Sequence, residues 1–333
     1  MKVFILTEGG KSIGFGHITR CFSLWQAFME RGIRPFFLVN MDDSMESSAR
    51  AMNCEIFDWL NKKEEILFQN LESDSIVIID SYLAGKFFYE KIAARAGVPV
   101  YIDDNVRLNY PSGIIVNGSI CAENFQYARA DNQEYLLGVK YIPLRKAFRE
   151  SAVKKINEEI KTIMVTFGGT DLRGMTQNIL KFLCENFPRV QKKIILAGAF
   201  KDKEKIQAVG GDKATQFIIA PSDTIMRETM LESDLAITAA GQTLYELARV
   251  GVPSISVIVA DNQMNNVNGW IKEGFIENAG VWDAPDLLSN IARGIQKLSS
   301  QEERKKRSEK AMNLVDGKGA ARISEILLEK AGQ

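Results

Sequence analysis

The sequence predicts an α/β protein made of two doubly wound, parallel-sheet domains that face each other across a cleft. Three observations carry that expectation. Short apolar runs rich in β-branched residues alternate with longer segments of helical period, as parallel strands and their covering helices require. Several of these runs are apolar throughout, the pattern of strands buried on both faces. The chain has 333 residues, enough for two cores at roughly 150 residues per domain.

In chain order, strands are expected at 2–7 (KVFILT), 35–39 (PFFLV), 76–80 (IVIID), 99–103 (PVYID) and 113–116 (GIIV), with helices over 17–31 and 86–96. A second series follows at 162–167 (TIMVTF), 193–197 (KIILA), 217–220 (FIIA), 235–238 (LAIT) and 254–259 (SISVIV), with helices over 174–186, 223–232 and 243–250. The stretch 148–161, FRESAVKKINEEIK, is charged and has no strand pattern. It divides a first domain, 1–150, from a second, 151–333. The tail from 301 is polar and helix-forming, and is expected either to close the second domain or to cross back to the first. Aromatic pairs such as Phe36-Phe37 and Phe87-Phe88 read as core.

Composition narrows the function. Lys+Arg and Asp+Glu are 42 each, so no basic excess points to nucleic acid or to an anionic membrane. No run approaches the roughly 18 apolar residues of a membrane span, and the apolar core of MKVFILTEGG is too short for a signal peptide. A cytoplasmic protein without membrane insertion is expected. Cys21, Cys54, Cys121 and Cys184 are scattered, and His17 is the single histidine. Neither a zinc site nor a disulfide framework is indicated. No metal, cofactor or partner protein is expected, and any imidazole chemistry falls to His17.

Three loops could carry chemistry. In the first, Gly10-Lys11-Ser12 fails as a phosphate-binding P-loop because Ile5 stands where the leading glycine belongs. Gly14-Phe15-Gly16-His17 remains, a strand-to-helix turn that sets His17 at a helix start facing the cleft. There the helix dipole is expected to depress its pKa and keep the imidazole neutral; the plainer role is packing within the turn. The second loop, Gly168-Gly169-Thr170-Asp171, suits a phosphate or a sugar hydroxyl, or Thr170 or Asp171 serves as an N-cap. In the third, Ala239-Ala240-Gly241 permit close approach, and the helix start at Gln242-Thr243 is a cradle for a diphosphate. Glu246, one turn in, suits the two hydroxyls of a ribose, or simply stabilises the first helical turn by its charge.

Asp80-Ser81-Tyr82 and Asp103-Asp104-Asn105 each follow an apolar strand. The paired aspartates suggest capping more than metal ligation, since no third ligand is near. Asp261-Asn262-Gln263 suits either a sugar contact or a turn.

These loops, in this order, carry a resemblance. GFGHITRC at 14–21, DSYLAG at 80–85, IDD at 102–104, LLG at 136–138 with PLR at 143–145, TFGGTD at 166–171, SDLAITAAGQTLYELARVGVPSI at 233–255 and ADNQ at 260–263 resemble the UDP-2,4-diacetamido-2,4,6-trideoxy-β-L-altropyranose hydrolases of pseudaminic acid biosynthesis. That family is grouped with spore-coat polysaccharide proteins and is similar to the GT-B glycosyltransferases. The resemblance implies two Rossmann-like domains with UDP held mainly by the second. It makes His17 the catalytic base, places Tyr82 in the sugar pocket, and counts Gly14, Gly16 and Arg20 among the substrate-binding residues. It counts Gly168, Gly169 and Thr170 among the substrate-binding residues, places Ala240, Gly241, Gln242, Thr243, Leu244 and Glu246 at the UDP, with Glu246 on the ribose, and Asn262 and Gln263 near the sugar. Ala239-Ala240 depart from the serine or glycine common in relatives. The implied reaction is metal-independent, inverting hydrolysis at the anomeric carbon. The rivals are a GT-B transferase with the same donor and a non-catalytic sugar-nucleotide binder.

Overall fold

A computed structural model gives the structure of the protein and describes residues 1–10, 13–41, 53–128, 131–150, 154–169, 171–198, 200 and 203–332. The chain divides into two compact units, Met1–Lys146 with Gly317–Gln333, and Ala147–Asp316.

The first unit is a parallel sheet of β1 (Val3–Glu8), β2 (Phe36–Asn40), β3 (Glu55–Ile56), β4 (Ile76–Asp80), β5 (Val98–Ile102), β6 (Gly113–Asn117) and β7 (Gln133–Leu137), in the order β3-β2-β1-β4-β5-β6-β7. Helices α1 (Gly16–Met29), α2 (Glu64–Asn70) and α3 (Lys86–Ala93) connect them. Side chains alternate along a strand, and here both sides of the sheet are covered. Val3 and Ile5 of β1 pack with Ile18, Leu24 and Phe28 of α1. Phe4 and Leu6 pack instead with Trp59, Leu67 of α2, and Phe88 and Tyr89 of α3. A fully buried Leu or Ile of this kind contributes about 1.5–3 kcal/mol, which is why β1 and β4 read as unbroken apolar runs.

The second unit repeats the arrangement. Its sheet holds β8 (Thr162–Thr166), β9 (Gln191–Leu196), β10 (Thr215–Ile219), β11 (Leu235–Ala239), β12 (Ser254–Ile258) and β13 (Ile276–Val281), all parallel, in the order β10-β9-β8-β11-β12-β13. Its helices are α4 (Met175–Asn186), α5 (Lys203–Val209), α6 (Asp223–Glu232), α7 (Thr243–Val250), α8 (Met264–Lys272), α9 (Leu287–Lys297) and α10 (Gln301–Leu314). Ser222 Oγ caps α6 by accepting from the Ile225 N–H at 3.3 Å. Gly251, at φ 82°, ends α7 in a left-handed conformation. Polar α10 is tied down by Arg304, fully buried, which donates to the carbonyls of Leu298 and Asn157, each at 2.6 Å.

The C-terminal helix α11 (Gly319–Ala331) belongs to the first unit. Ala320, Ile323 and Leu327 enter the α1 side of its core, and Arg31 donates to the Ala321 carbonyl at 2.9 Å. A Cβ on Gly319 would lie 2.1 Å from the Ile142 carbonyl oxygen, so the helix starts against backbone that only glycine can approach. The division therefore falls after Lys146, and 317–333 leave the segment that the sequence assigns to a second domain.

Other details differ from the sequence reading. Strands β3, β7 and β13 are additional, and all three lie at sheet edges. β7 and β13 are half-exposed and lack a continuous apolar run. Phe37 and Phe88 are core, but Phe36 is 49% exposed and Phe87 70%.

Candidate functional site

Both sheets have the doubly wound order in which the chain leaves in opposite directions on either side of one strand pair. Ligands of such sheets bind at the carboxyl ends of that pair. In the first unit the pair is β1 and β4, with Thr7 opposite Asp80; in the second it is β8 and β11, with Thr166 opposite Thr238.

After β1 the chain must turn sharply into α1. A Cβ on Gly9 would lie 2.2 Å from Ile18 Cδ1, so α1 packs directly on this backbone. Gly10 and Gly14 exchange N–H···O bonds of 3.1 and 2.8 Å, and Gly14 has φ 83°. The loop so closed starts α1 at Gly16 and puts His17 in its first turn.

His17 Nδ1 lies 2.6 Å from Asp80 Oδ1, at the end of β4. Arg20, one turn further along α1, donates from Nη2 to Asp80 Oδ1 at 2.7 Å and from Nε to Asp80 Oδ2 at 2.8 Å. Its Nη1 donates to Asp104 Oδ2 at 3.2 Å. Asp80 is buried, and His17 nearly so. Burial pushes the Asp80 carboxyl up, but the charges of Arg20 and His17 hold it well below the usual carboxylate range. Burial likewise disfavours imidazolium at His17, but the Asp80 carboxylate overcomes it and raises the pKa above 6.5. The depressed pKa expected from the helix dipole is thus reversed, because a full charge in hydrogen-bond contact outweighs a partial charge at a helix end. With Nδ1–H donated to Asp80, the lone pair of neutral His17 sits on Nε2, as in a base oriented by a carboxylate. Among the described residues nothing bonds Nε2.

Arg20, expected to touch substrate, has its guanidinium committed to Asp80 and Asp104. Tyr82 Oη donates to Asp104 Oδ1 at 2.7 Å, and its ring meets the His17 ring edge-on, with centroids 4.5 Å apart. Asp103 supplies the capping expected of the pair: its carboxylate accepts from the N–H groups of Asn105, Val106 and Arg107 at 2.9–3.3 Å. That holds Val106 at φ 53°, strained for a β-branched residue, and the turn presents Asp104 to Arg20 and Tyr82. Asp80 and Asp104 organise this cluster, and neither stands out in the sequence beyond an acidic residue closing an apolar strand.

In the second unit, Gly168 has φ 74°, and Gly168-Gly169 follow β8. Thr170 lies outside the described residues, as do Lys11 and Ser12. The Asp171 carboxylate accepts from the N–H groups of Met175 and Thr176 at 2.9 and 2.8 Å, capping α4. After β11, Gly241 and Gln242 lead into Thr243, the first residue of α7. Glu246 lies in the first turn of α7, buried. Asn262 and Gln263 form a short turn after β12; Gln263 Oε1 accepts from the Val259 N–H at 2.9 Å. The two loops are joined by Asn266, which donates to the Ala240 carbonyl at 2.8 Å and accepts from Tyr245 Oη at 2.5 Å. At two of the residues expected at the UDP the backbone N–H is already bonded within the protein. The Ala240 N–H is bonded to the Val257 carbonyl and its side chain is buried. Leu244 is fully buried, with its N–H on the Gly241 carbonyl at 3.1 Å. Among the described residues no group of three or more His, Cys, Asp or Glu is arranged to hold a metal ion, and no helix is long and apolar enough to cross a membrane.

The fold is that of the GT-B glycosyltransferases. Residues 162–325 match the Glycosyltransferase family 28 C-terminal domain. Acinetobacter baumannii MurG superposes over 99% of this chain and 100% of its own with a TM-score of 0.64, at 13% identity. Among sequences, an uncharacterised protein of Methanocaldococcus jannaschii is 25% identical over 82% of this chain and 59% of its own length. The spore coat polysaccharide biosynthesis protein SpsG of Bacillus subtilis is 22% identical over 98% of each chain. The Helicobacter pylori pseudaminic acid cytidylyltransferase and UDP-2,4-diacetamido-2,4,6-trideoxy-beta-L-altropyranose hydrolase is 25% identical over 95% of this chain. The chain spans just over half the length of that protein and of the archaeal one.

Proposed function

We propose that the protein hydrolyses a UDP-sugar at the anomeric carbon, with inversion and without a metal ion, releasing UDP and a free sugar for nonulosonic acid synthesis. The observation that carries this reading is the buried His17–Asp80 pair at the switch point of the first unit: an oriented imidazole with Nε2 available. The H. pylori relative's name supplies the substrate class, and the favoured sugar is 2,4-diacetamido-2,4,6-trideoxy-β-L-altropyranose. Water attacks C1 from the face opposite the diphosphate, Nε2 takes its proton, and the C1–O bond breaks with its electron pair leaving on UDP. Such a base contributes roughly 10²–10⁴-fold in rate. The second unit holds the nucleotide, with the start of α7 at the diphosphate and Glu246 at the ribose.

The family 28 match and the likeness to MurG favour a second reading, transfer of the same sugar to an acceptor hydroxyl. Proton NMR of the UDP-sugar with the protein, in EDTA and without acceptor, separates them. Hydrolysis gives catalytic amounts of UDP and free sugar. His17→Asn is expected to retain UDP affinity and lose at least about 10²-fold in turnover. Stable UDP-sugar that is consumed only on adding an acceptor would replace the first reading by the second.

A further inference from the structure

Glu8 takes no part in the proposed proton transfer, yet it is a fully buried carboxylate at the end of β1, beside the strand that ends in Asp80. Its oxygens gather the turn that follows Asp80. They accept from the Ser81 hydroxyl, from the Tyr82 N–H at 2.5 Å and from the Leu83 N–H at 3.2 Å. Ser81 Oγ itself accepts from the N–H groups of Leu83 and Ala84 at 3.0 and 2.9 Å. Its two lone pairs are then used, so its proton needs an acceptor, and Glu8 is that acceptor. Tyr82 is consequently gripped at two ends, its amide by Glu8 and its hydroxyl by Asp104 at 2.7 Å. Between those grips its ring stands edge-on to His17 at 84°.

We propose that Glu8 is a positioning residue for the sugar subsite: it fixes the Ser81–Leu83 turn and thereby holds the Tyr82 ring against His17, where the ring forms a rigid wall for the sugar. The subsite role of Tyr82 rests on the UDP-sugar reading above; the grip of Glu8 on the Tyr82 turn does not. A buried carboxylate costs several kcal/mol to desolvate unless its partners repay it, and the three partners of Glu8 among the described residues lie in one turn. Glutamine cannot replace it. Its amide N–H would face the Ser81 hydroxyl, whose lone pairs are taken, and one buried donor would be left without an acceptor.

His17 is the single histidine of the chain, so its ring carbon–proton signals in NMR are unique and report the Tyr82 ring without any ligand. In Glu8→Gln these signals are expected to move toward their positions in Tyr82→Ala. With UDP-sugar, KM is expected to rise about tenfold while kcat stays near wild type, because Asp80 still orients His17. Affinity for UDP alone is expected to be unchanged. Glu8→Asp keeps the charge but is one methylene short of the turn, and is expected to show the same changes if the glutamine variant does not fold. His17 signals at their wild-type positions in a folded variant overturn the proposal, as does a fall in kcat at constant KM. If the wild-type protein does not hydrolyse the UDP-sugar, the UDP-sugar reading fails by itself, and the ligand-free NMR comparison still decides whether Glu8 holds Tyr82.

Discussion

His17 and Asp80 make opposite demands on pH. The imidazole must be neutral to accept a proton, yet the carboxylate that orients it also raises its pKa above 6.5. The acid limb of kcat/KM is therefore expected to have its midpoint above 6.5. In Asp80→Asn the raising charge is gone while burial remains, so the midpoint moves to lower pH. The plateau falls by roughly 10²-fold or more, because asparagine no longer enforces the tautomer that keeps the proton on Nδ1 and the lone pair on Nε2. A pH profile beside an NMR titration of His17 checks both, and an unmoved acid limb would contradict the assignment. Stability runs the other way for His17. A raised pKa adds stability that is fully present below the unfolded value of about 6.5 and is lost as pH rises through the folded value. Asp80, with its depressed pKa, contributes above its unfolded value near 3.8 and loses that contribution as pH falls through the folded one. Removing Asp80 outright would leave the largely buried Arg20 with only Asp104 as counter-charge, a loss of up to about 3–5 kcal/mol.

At the scale of elements, α11 shows how far one backbone contact can fix topology. The Gly319 position leaves 2.1 Å to the Ile142 carbonyl for any Cβ. Gly319→Ala is expected to cost about 1–3 kcal/mol by overpacking and to lower the thermal unfolding midpoint by several degrees; an unchanged midpoint would show that the contact yields. Such an element is hard to read from sequence, because α11 is amphipathic and could cover either sheet. The strands covered on both faces, such as β1, β4 and β8, are legible because burial leaves them uniformly apolar. Edge strands β7 and β13 are not, since solvent on one side admits Gln133, Glu134, Glu277 and Asn278 and breaks both the apolar run and the period. The site divides in the same way. His17 is legible from the glycines that bend the chain around it. Strand order brings Asp80 and Asp104 to Arg20, and Glu8 to Ser81, across sequence separations of 60 to 84 residues; locally they are marked only as acidic residues that close apolar strands, which does not tell which partners they meet.

For the whole molecule, two units with the same strand order, apart from the extra edge strand β7 of the first, differ in what stands at their switch points. The first concentrates acid–base groups at its switch point, and the second has short loops and a helix start at its own. The proposed reaction gives the base to the first unit and the leaving group to the second. That assignment is common to hydrolysis and transfer, so fold alone does not choose between them. The choice lies in which nucleophile reaches C1. The most direct test is hydrolysis of the UDP-sugar in ¹⁸O-labelled water, with early sampling and mass spectrometry of both products. Attack of water at C1 with His17 as base predicts one labelled oxygen in the sugar, unlabelled UDP, and loss of both products in His17→Asn. Label in UDP would mean attack at phosphorus, and would contradict a base aimed at the anomeric carbon.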